Sequence, residues 1–263
     1  MTDSTEKTSS SQIISIFETF RNELDEHYDR RERIIKMSRD ITALSKKIIF
    51  ALQRLRKIQT PLPNNITKET EPRFTQIQDL FKQIVPEMSS LNTHRYQRSI
   101  SPAIQEFIEA VSFNHYVQYQ KLISIEEVRN MLPKEILVTE EDYVMGLFDL
   151  TGEIMRFAVT GFSAGNMVST SDSTQGEEGE RPKLGLATSQ TDLVTDIQSM
   201  RSYFEKMSIP KRHELFREYG KKTEIMQNSV EKVERAAYGI LVRGSERPAG
   251  WMPDVSGVEV ESF

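Results

Sequence analysis

The chain has 263 residues, and its 34 Lys and Arg against 39 Asp and Glu give a formal net charge of −5 at neutral pH. This length suits one large domain or two small ones, and the acidic balance argues against a protein that coats nucleic acid without a partner. The absence of cysteine excludes a disulfide framework, a thiol nucleophile and a cysteine-ligated zinc site, and it fits a reducing compartment.

The N-terminal sequence MTDSTEKTSSSQ is polar and lacks the apolar core of a signal peptide, and no apolar run in the chain is long enough to cross a bilayer. We therefore expect a soluble protein without a membrane partner, located in the cytoplasm. A nuclear pool is the alternative, although no basic import cluster stands at the N-terminus.

Helix signals prevail along the chain and strand signals are scarce, so the sequence predicts an all-α fold, a bundle of about seven helices. The first predicted helix is very long, because neither Gly nor Pro occurs between Gln12 and about Lys57, and TPLPNN at 60–65 ends it. Such a length is typical of a bundle spine or an oligomerisation helix. Further long helices are predicted over about 67–85, 88–120, 190–207 and 211–242.

Two caps are readable in the middle of the chain. Ser124 followed by Glu127 is a capping-box pattern, and it predicts a short helix that closes before Pro133. Thr139 is placed to cap the helix that follows.

The domain boundaries follow from composition. Residues 1–11 are rich in Ser and Thr and are predicted to be disordered. Residues 12–245 form one predicted helical domain, interrupted at 163–188 by a stretch rich in Ser, Thr, Gly and Glu that predicts a mobile loop. A disordered tail is predicted over 246–263.

One acidic pair, Asp149 and Glu153, lies four residues apart on a predicted helix that is apolar around more than half its circumference. A helix of this kind is buried, so its carboxylates must be paired, protonated, bound to a cation or turned to a wet cavity. Arg156 can neutralise one carboxylate but not the whole set.

A second pair, Glu106 and Glu109, lies three residues apart, opposite an apolar stripe. An ordinary solvated face is one interpretation of this pair. Phe113 and Tyr116 project on the same side, however, which favours a covered face. Four converging carboxylates form a cage for a hard divalent cation, and oxygen ligands suit Mg²⁺ or Mn²⁺ better than zinc.

Four segments together resemble the translin superfamily, in the family's order, between about Phe17 and Glu246. They are FRNELDEHYDRRERIIKMSRDITALSKKIIFALQRL, HRYQRSISPAIQEFIEAVSF, EEDYVMGLFDLTGEIMR and VEKVERAAYGILVRGSE. The catalytic branch of that family carries Glu-x-x-Glu followed by Asp-x-x-x-Glu, and the matching residues here are Glu106, Glu109, Asp149 and Glu153. The loop after the second pair is longer here than in the family.

The resemblance implies the catalytic subunit of a Mg²⁺-dependent endoribonuclease that cleaves single-stranded RNA and assembles with translin into a hollow hetero-oligomer. Complexes of this kind are linked to passenger-strand removal in RNA silencing and to trimming of transfer-RNA fragments. We expect the four carboxylates to be metal ligands, one glutamate being a candidate general base on a water. Mn²⁺ is the expected substitute for Mg²⁺.

Supporting residues are also expected. Arg156 is placed to pair with Glu153 at i, i+3, which is the favoured role, or to touch a phosphate. The cluster His94, Arg95 and Arg98 resembles the basic segment of translin and predicts contacts to RNA phosphates, with a solvated face as an equal alternative.

A different class of function stays open, namely a non-catalytic scaffold that stabilises translin and binds single-stranded nucleic acid. In that case the acidic residues belong to an interhelical salt-bridge network, for which Arg156, Lys222 and Lys232 are candidate partners.

Overall fold

The structure, a computed structural model, describes residues 3–163, 188–211 and 215–246. These residues form α-helices joined by short turns and contain no strand, which confirms the predicted all-α class. The helices are α1 (Asp3–Leu52), α2 (Asn64–Ile84), α3 (Asn92–Tyr119), α4 (Ile125–Asn130), α5 (Glu140–Ser163), α6 (Thr188–Lys206) and α7 (Leu215–Glu246). None of the helices in the described ranges carries an apolar stretch sufficient to span a bilayer.

The first helix is longer at its N-terminus than predicted. It begins at Asp3 instead of Gln12, so residues 3–11 are helical where the sequence predicted disorder. No Gly or Pro interrupts this stretch, and each residue added to an existing helix gains a hydrogen bond. At the other end α1 stops at Leu52, five residues before the predicted Lys57.

Only the C-terminal part of α1 joins the core. Ile34, Ile41 and Ile48 are fully buried, whereas Phe17 and Leu24 are 67% and 69% exposed. Residues 14–26 of α1 are all exposed. This part of the helix therefore projects from the bundle as a rod of about 20 Å at the helical rise, and the rod carries apolar side chains that the described part of the chain leaves uncovered.

Helix α3 occupies the centre of the bundle, because it packs against α1 on one side and α5 on the other. Phe107 of α3 meets Phe81 of α2 edge to face at 5.7 Å between ring centroids, and Phe113 meets Phe157 of α5 at 6.2 Å. Helix α7 covers the far side of α5. Pro102 lies inside α3 and does not end it.

Both predicted caps are present. Ser124 and Glu127 form the reciprocal hydrogen bonds of a capping box at α4, and the Thr139 hydroxyl accepts a 3.0 Å hydrogen bond from the Asp142 N–H at the start of α5. The predicted loop 163–188 and tail 246–263 fall, apart from the helix ends Ser163, Thr188 and Glu246, outside the described residues.

Candidate active site

A close approach of α3 and α5 brings the two acidic pairs to neighbouring faces. A Cβ atom at Gly146 of α5 would lie 2.7 Å from the Ile108 side chain and 2.9 Å from the Gln105 carbonyl oxygen of α3. Only a residue without a side chain permits such a contact. Because Gly146 lies one turn before Asp149, and Ile108 is adjacent to Glu109, this crossing sets the separation of the two pairs.

The first pair is not a solvated face. Glu109 is 8% exposed, and the Glu106 side chain is 18% exposed. Of the α5 pair, Glu153 is 9% exposed, but the Asp149 side chain is 39% exposed. The sequence suggested that the α5 pair would be the more buried. The central position of α3 makes Glu109 the most buried of the four instead.

The carboxylates act on one another electrostatically. Burial, and after it the negative charges of Asp149, Glu106 and Glu153, raise the pKa of Glu109 to about 9. Burial also raises the pKa of Glu106, while the charge of Lys46 opposes that rise. Glu109 therefore keeps its proton at neutral pH.

Three cations lie beside the acidic group, which consists of Glu106, Glu109, Asp149 and Glu153. Arg156 donates to both carboxylate oxygens of Glu153 at 2.9 and 3.1 Å, which is the i, i+3 pairing that the sequence favoured. Lys222 of α7 pairs with Asp149. Lys46 of α1 lies 3.9 Å from a Glu106 oxygen.

The carboxyl group of Glu109 differs from the other three. Within the described ranges it forms no hydrogen bond or ion pair. Of the cations considered for a salt-bridge network, Arg156 and Lys222 take part, and Lys232 is exposed on α7.

Gln53 is a site residue that the sequence did not reveal. Its side-chain amide, just past the end of α1, donates to the backbone oxygen of Glu153 at 2.9 Å and to its carboxylate at 2.7 Å. The Gln53 side-chain oxygen is buried without a partner. A hundred residues separate Gln53 from Glu153, so no local spacing could have indicated the contact.

The predicted RNA-contacting residues lie at the start of α3. His94, Arg95 and Arg98 are all exposed. Arg95 is 2.6 Å from a ring nitrogen of His27 of α1, whose other nitrogen is 2.6 Å from the Tyr96 hydroxyl. The cluster stands at least 12 Å or so from Glu106 along the helix, eight residues at the helical rise. Its role in RNA binding stays a prediction.

A second basic region, also missed by the sequence analysis, lies beside Gln53. The turn after α1 borders an open cavity of about 430 Å³. Three cations line it, Arg54, Arg56 and Lys57, and Arg54 is paired with Glu69. Positive charge is thus adjacent in the chain to a residue that contacts the acidic group.

The donor chemistry fits a hard divalent cation. All four candidate ligands offer carboxylate oxygens, and the raised pKa of Glu109 marks unbalanced negative charge. As arranged, however, no three acidic or histidine side chains in the described part of the chain stand close enough to hold a metal ion jointly. Arg156 and Lys222 hold the two carboxylates of α5, so a divalent cation must displace or rearrange them.

Comparison with known proteins gives a consistent result. The model of the Translin family matches residues 29–244. Translin-associated protein X of Rattus norvegicus is 30% identical over 278 residues, covering 96% of this chain and 87% of that protein. The translin-associated protein X homolog of Schizosaccharomyces pombe is 29% identical, covering 88% of this chain and 89% of that protein.

Solved structures show the same fold. The crystal structure of apo-NeC3PO superposes with a TM-score of 0.61 at 16% identity, covering 84% of this chain and 95% of that one. That of AfC3PO gives a TM-score of 0.58 at 18% identity, covering 86% and 97%. The family match over most of the chain and the 30% identity to a relative that is covered over 87% of its length establish membership. The chain belongs to the Translin family, among the translin-associated protein X members.

Proposed function

We propose that this chain is the catalytic subunit of a Mg²⁺-dependent endoribonuclease that cleaves single-stranded RNA. One observation carries the proposal. Four carboxylates from α3 and α5 share one electrostatic environment, and the most buried of them, Glu109, has a pKa raised to about 9 and no hydrogen-bond partner in the described ranges. Strongly perturbed carboxylates of this kind concentrate at functional sites.

In this proposal Glu106, Glu109, Asp149 and Glu153 hold Mg²⁺, or Mn²⁺ as a substitute. The bound ion would supply activation of a water and charge neutralisation at the phosphate. Glu109 would release its proton to solvent on becoming a ligand, because a bound cation would stabilise the ionised carboxylate. Gln53 fixes the orientation of Glu153 through its two hydrogen bonds.

The proposed partner is a translin chain in a hetero-oligomer. The projecting rod of α1 exposes Phe17 at 67% and Leu24 at 69%, and apolar surface of this kind is suited to burial against another subunit. An acidic chain also gains most for RNA binding from a partner that supplies positive surface. The relatives' name, translin-associated protein X, agrees with this partner.

RNA phosphates would be held by the basic regions of this chain, the cluster His94, Arg95 and Arg98 and the cavity beside Gln53. Passenger-strand removal in RNA silencing and transfer-RNA fragment processing are the proposed contexts. The proposed location is cytoplasmic, with a nuclear pool as the alternative.

The ion pairs favour a second candidate function. Because Arg156 holds Glu153 and Lys222 holds Asp149, the acidic residues also suit a structural network in a scaffold that stabilises translin and binds single-stranded nucleic acid without cutting it. This function needs no metal ion.

One experiment separates the two functions. Asp149→Ala and Glu109→Ala are each assembled with translin and given a labelled single-stranded RNA in Mg²⁺. The nuclease proposal expects cleavage to fall by about 100-fold or more, as for loss of a group that acts on the transition state, while assembly and RNA binding persist. Glu141→Ala, an exposed acid on the same helix, is the matched control. Unchanged cleavage in both site variants would leave the scaffold function.

A further inference from the structure

Lys222 reaches the acidic group from a third helix. Its ammonium pairs with the Asp149 carboxylate across the α5–α7 contact, and its side chain is 28% exposed. Its charge also acts on α3, since it lowers the pKa of both Glu106 and Glu109. Lys222 therefore faces the acidic group as a whole.

The backbone around Lys222 is held in place while the side chain is long. Tyr219, one turn earlier, meets the Phe148 ring edge to face at 5.4 Å, and Met226, one turn later, is 1% exposed. A lysine carries its charge on a flexible four-carbon stem. The charge can therefore move between neighbouring anions without any movement of α7.

We propose that Lys222 is the counter-cation of the acidic group in the absence of metal. When a divalent cation binds, Lys222 releases Asp149 and then contacts a phosphate oxygen of the bound RNA strand. The inference rests on the proposed nuclease function and names a residue for phosphate contact in the same site. The exchange is ionic, and no covalent bond forms or breaks at Lys222.

Removal of the Lys222 charge is expected to strengthen metal binding and to weaken RNA binding. Removal of the Lys222 charge takes away a competitor for Asp149, so the divalent cation binds more tightly. The same substitution also removes one positive charge that would contact an RNA phosphate. RNA binding therefore depends less on salt concentration, and cleavage slows. A lysine that only braced α5 against α7 would not contribute to the salt dependence of RNA binding.

The test uses the full chain assembled with translin, in the wild type and in Lys222→Met, Lys222→Arg and Lys221→Met. Lys221 is the exposed neighbour of Lys222 and serves as the matched control. The Mn²⁺ dissociation constant is measured by electron paramagnetic resonance. Binding of a single-stranded RNA is measured against salt concentration with Ca²⁺ in place of Mg²⁺, and cleavage is measured in Mg²⁺.

For Lys222→Met we expect Mn²⁺ binding about tenfold tighter, which corresponds to a change of about 1.4 kcal/mol. We also expect a salt slope smaller by about one and cleavage slower by about 100-fold. Lys222→Arg keeps the charge, so its Mn²⁺ affinity stays at or below that of the wild type. Lys221→Met matches the wild type in Mn²⁺ affinity and in cleavage.

Mn²⁺ binding that is no tighter in Lys222→Met overturns the counter-cation role, and an unchanged salt slope overturns the phosphate contact. If Lys222→Met does not assemble, Lys222→Gln, which keeps a donor for Asp149, is measured with the same expectations. Asp149→Ala separates this inference from the proposed function. If the wild type and Asp149→Ala bind Mn²⁺ equally, the carboxylate site itself is wrong and both proposals fall. If Asp149→Ala loses Mn²⁺ binding and the Lys222 variants keep it, the carboxylates are the metal site. The nuclease proposal is then retained even if the Lys222 variants contradict the counter-cation role.

Discussion

Two buried carboxyl groups at the α3–α5 interface have opposite surroundings. Asp142 is 2% exposed and Glu109 is 8% exposed, so both are withdrawn from water. Asp142, on the first turn of α5, accepts hydrogen bonds from four neutral side chains, Gln97, Ser101, Gln105 and Thr139. Glu109, in the middle of α3, faces three other carboxylates and has no such donor within the described ranges.

The difference agrees with separate roles for the two carboxyl groups, Asp142 joining two helices and Glu109 serving as a proposed metal ligand. The hydrogen bonds to Asp142 compensate its ionised form for the water it lost, and they join α3 to α5. No hydrogen-bond donor in the described ranges compensates the ionised form of Glu109 and the charge of Lys222 offsets only part of the effect, so burial and the neighbouring carboxylates raise its pKa to about 9. Burial by itself therefore does not separate the two acids, whereas burial without a hydrogen-bond donor, among like charges, supports the proposed role of Glu109.

The largest expected effect is at Asp142. Asp142→Ala leaves four half-buried donors without their acceptor, so we expect the free energy of unfolding of the full chain to fall by about 3 to 5 kcal/mol. Chemical denaturation measures this loss. Asp79→Ala, at an exposed acid paired with Lys82 of the same helix, is the control and is expected to change stability by less than about 0.5 kcal/mol. A similar small change for Asp142→Ala would show that the hydrogen bonds there contribute little.

The next largest expected effect is at Gly146, where α5 crosses α3 between Asp142 and the acidic group. Gly146→Ala places a methyl group 2.7 Å from Ile108, and we expect a loss of about 1 to 3 kcal/mol in the free energy of unfolding. Gly152→Ala, six residues later on α5, meets no atom within 4 Å. There the better helix propensity of Ala is expected to stabilise the chain by about 0.5 to 1 kcal/mol. Thermal unfolding of the two variants should thus shift in opposite directions, and a shared direction contradicts the close crossing.

A third prediction concerns pH. Because the pKa of Glu109 rises from its ordinary 4.5 to about 9 on folding, the folded chain binds more protons than the unfolded chain between these values. The stability that comes from this group is fully present below pH 4.5 and is lost as pH rises towards 9. The slope is at most about 1.4 kcal/mol per pH unit.

Glu109→Gln removes this dependence, since the amide is neutral at every pH. We expect the stability of Glu109→Gln relative to the wild type to increase steadily from pH 5 to pH 9 in chemical denaturation. Parallel curves for the two chains over that range would mean that Glu109 ionises normally.

The smallest expected effect is at Arg156. The Arg156 side chain is 58% exposed, so solvent screens its pair with Glu153. We expect Arg156→Ala to reduce the free energy of unfolding by less than about 1 kcal/mol. A loss similar to that of Asp142→Ala would show instead that the ion pair is a main support of the bundle, as the scaffold function requires.

The sequence determined the local features. The helices of the described ranges, the capping box at Ser124, the cap at Thr139 and the pairing of Arg156 with Glu153 all follow from spacing within a few residues. These features are readable because a helix repeats every 3.6 residues and its caps are short patterns. The family also followed from motifs in the chain. The predicted start of the first helix at Gln12 differs from the observed start at Asp3, because a polar segment without Gly or Pro can still be helical.

The tertiary structure decided which acidic residues have partners. Nothing in the spacing of α5 separates Asp142, which four neutral side chains hold, from Asp149, which Lys222 holds. The partners come from other helices, and Gln53 contacts Glu153 across a hundred residues of sequence. Helix periodicity fixes the face on which a side chain lies, but the crossing at Gly146 and the position of α7 fix what that face meets. Contacts between distant segments depend on packing, and packing is a property of the whole bundle.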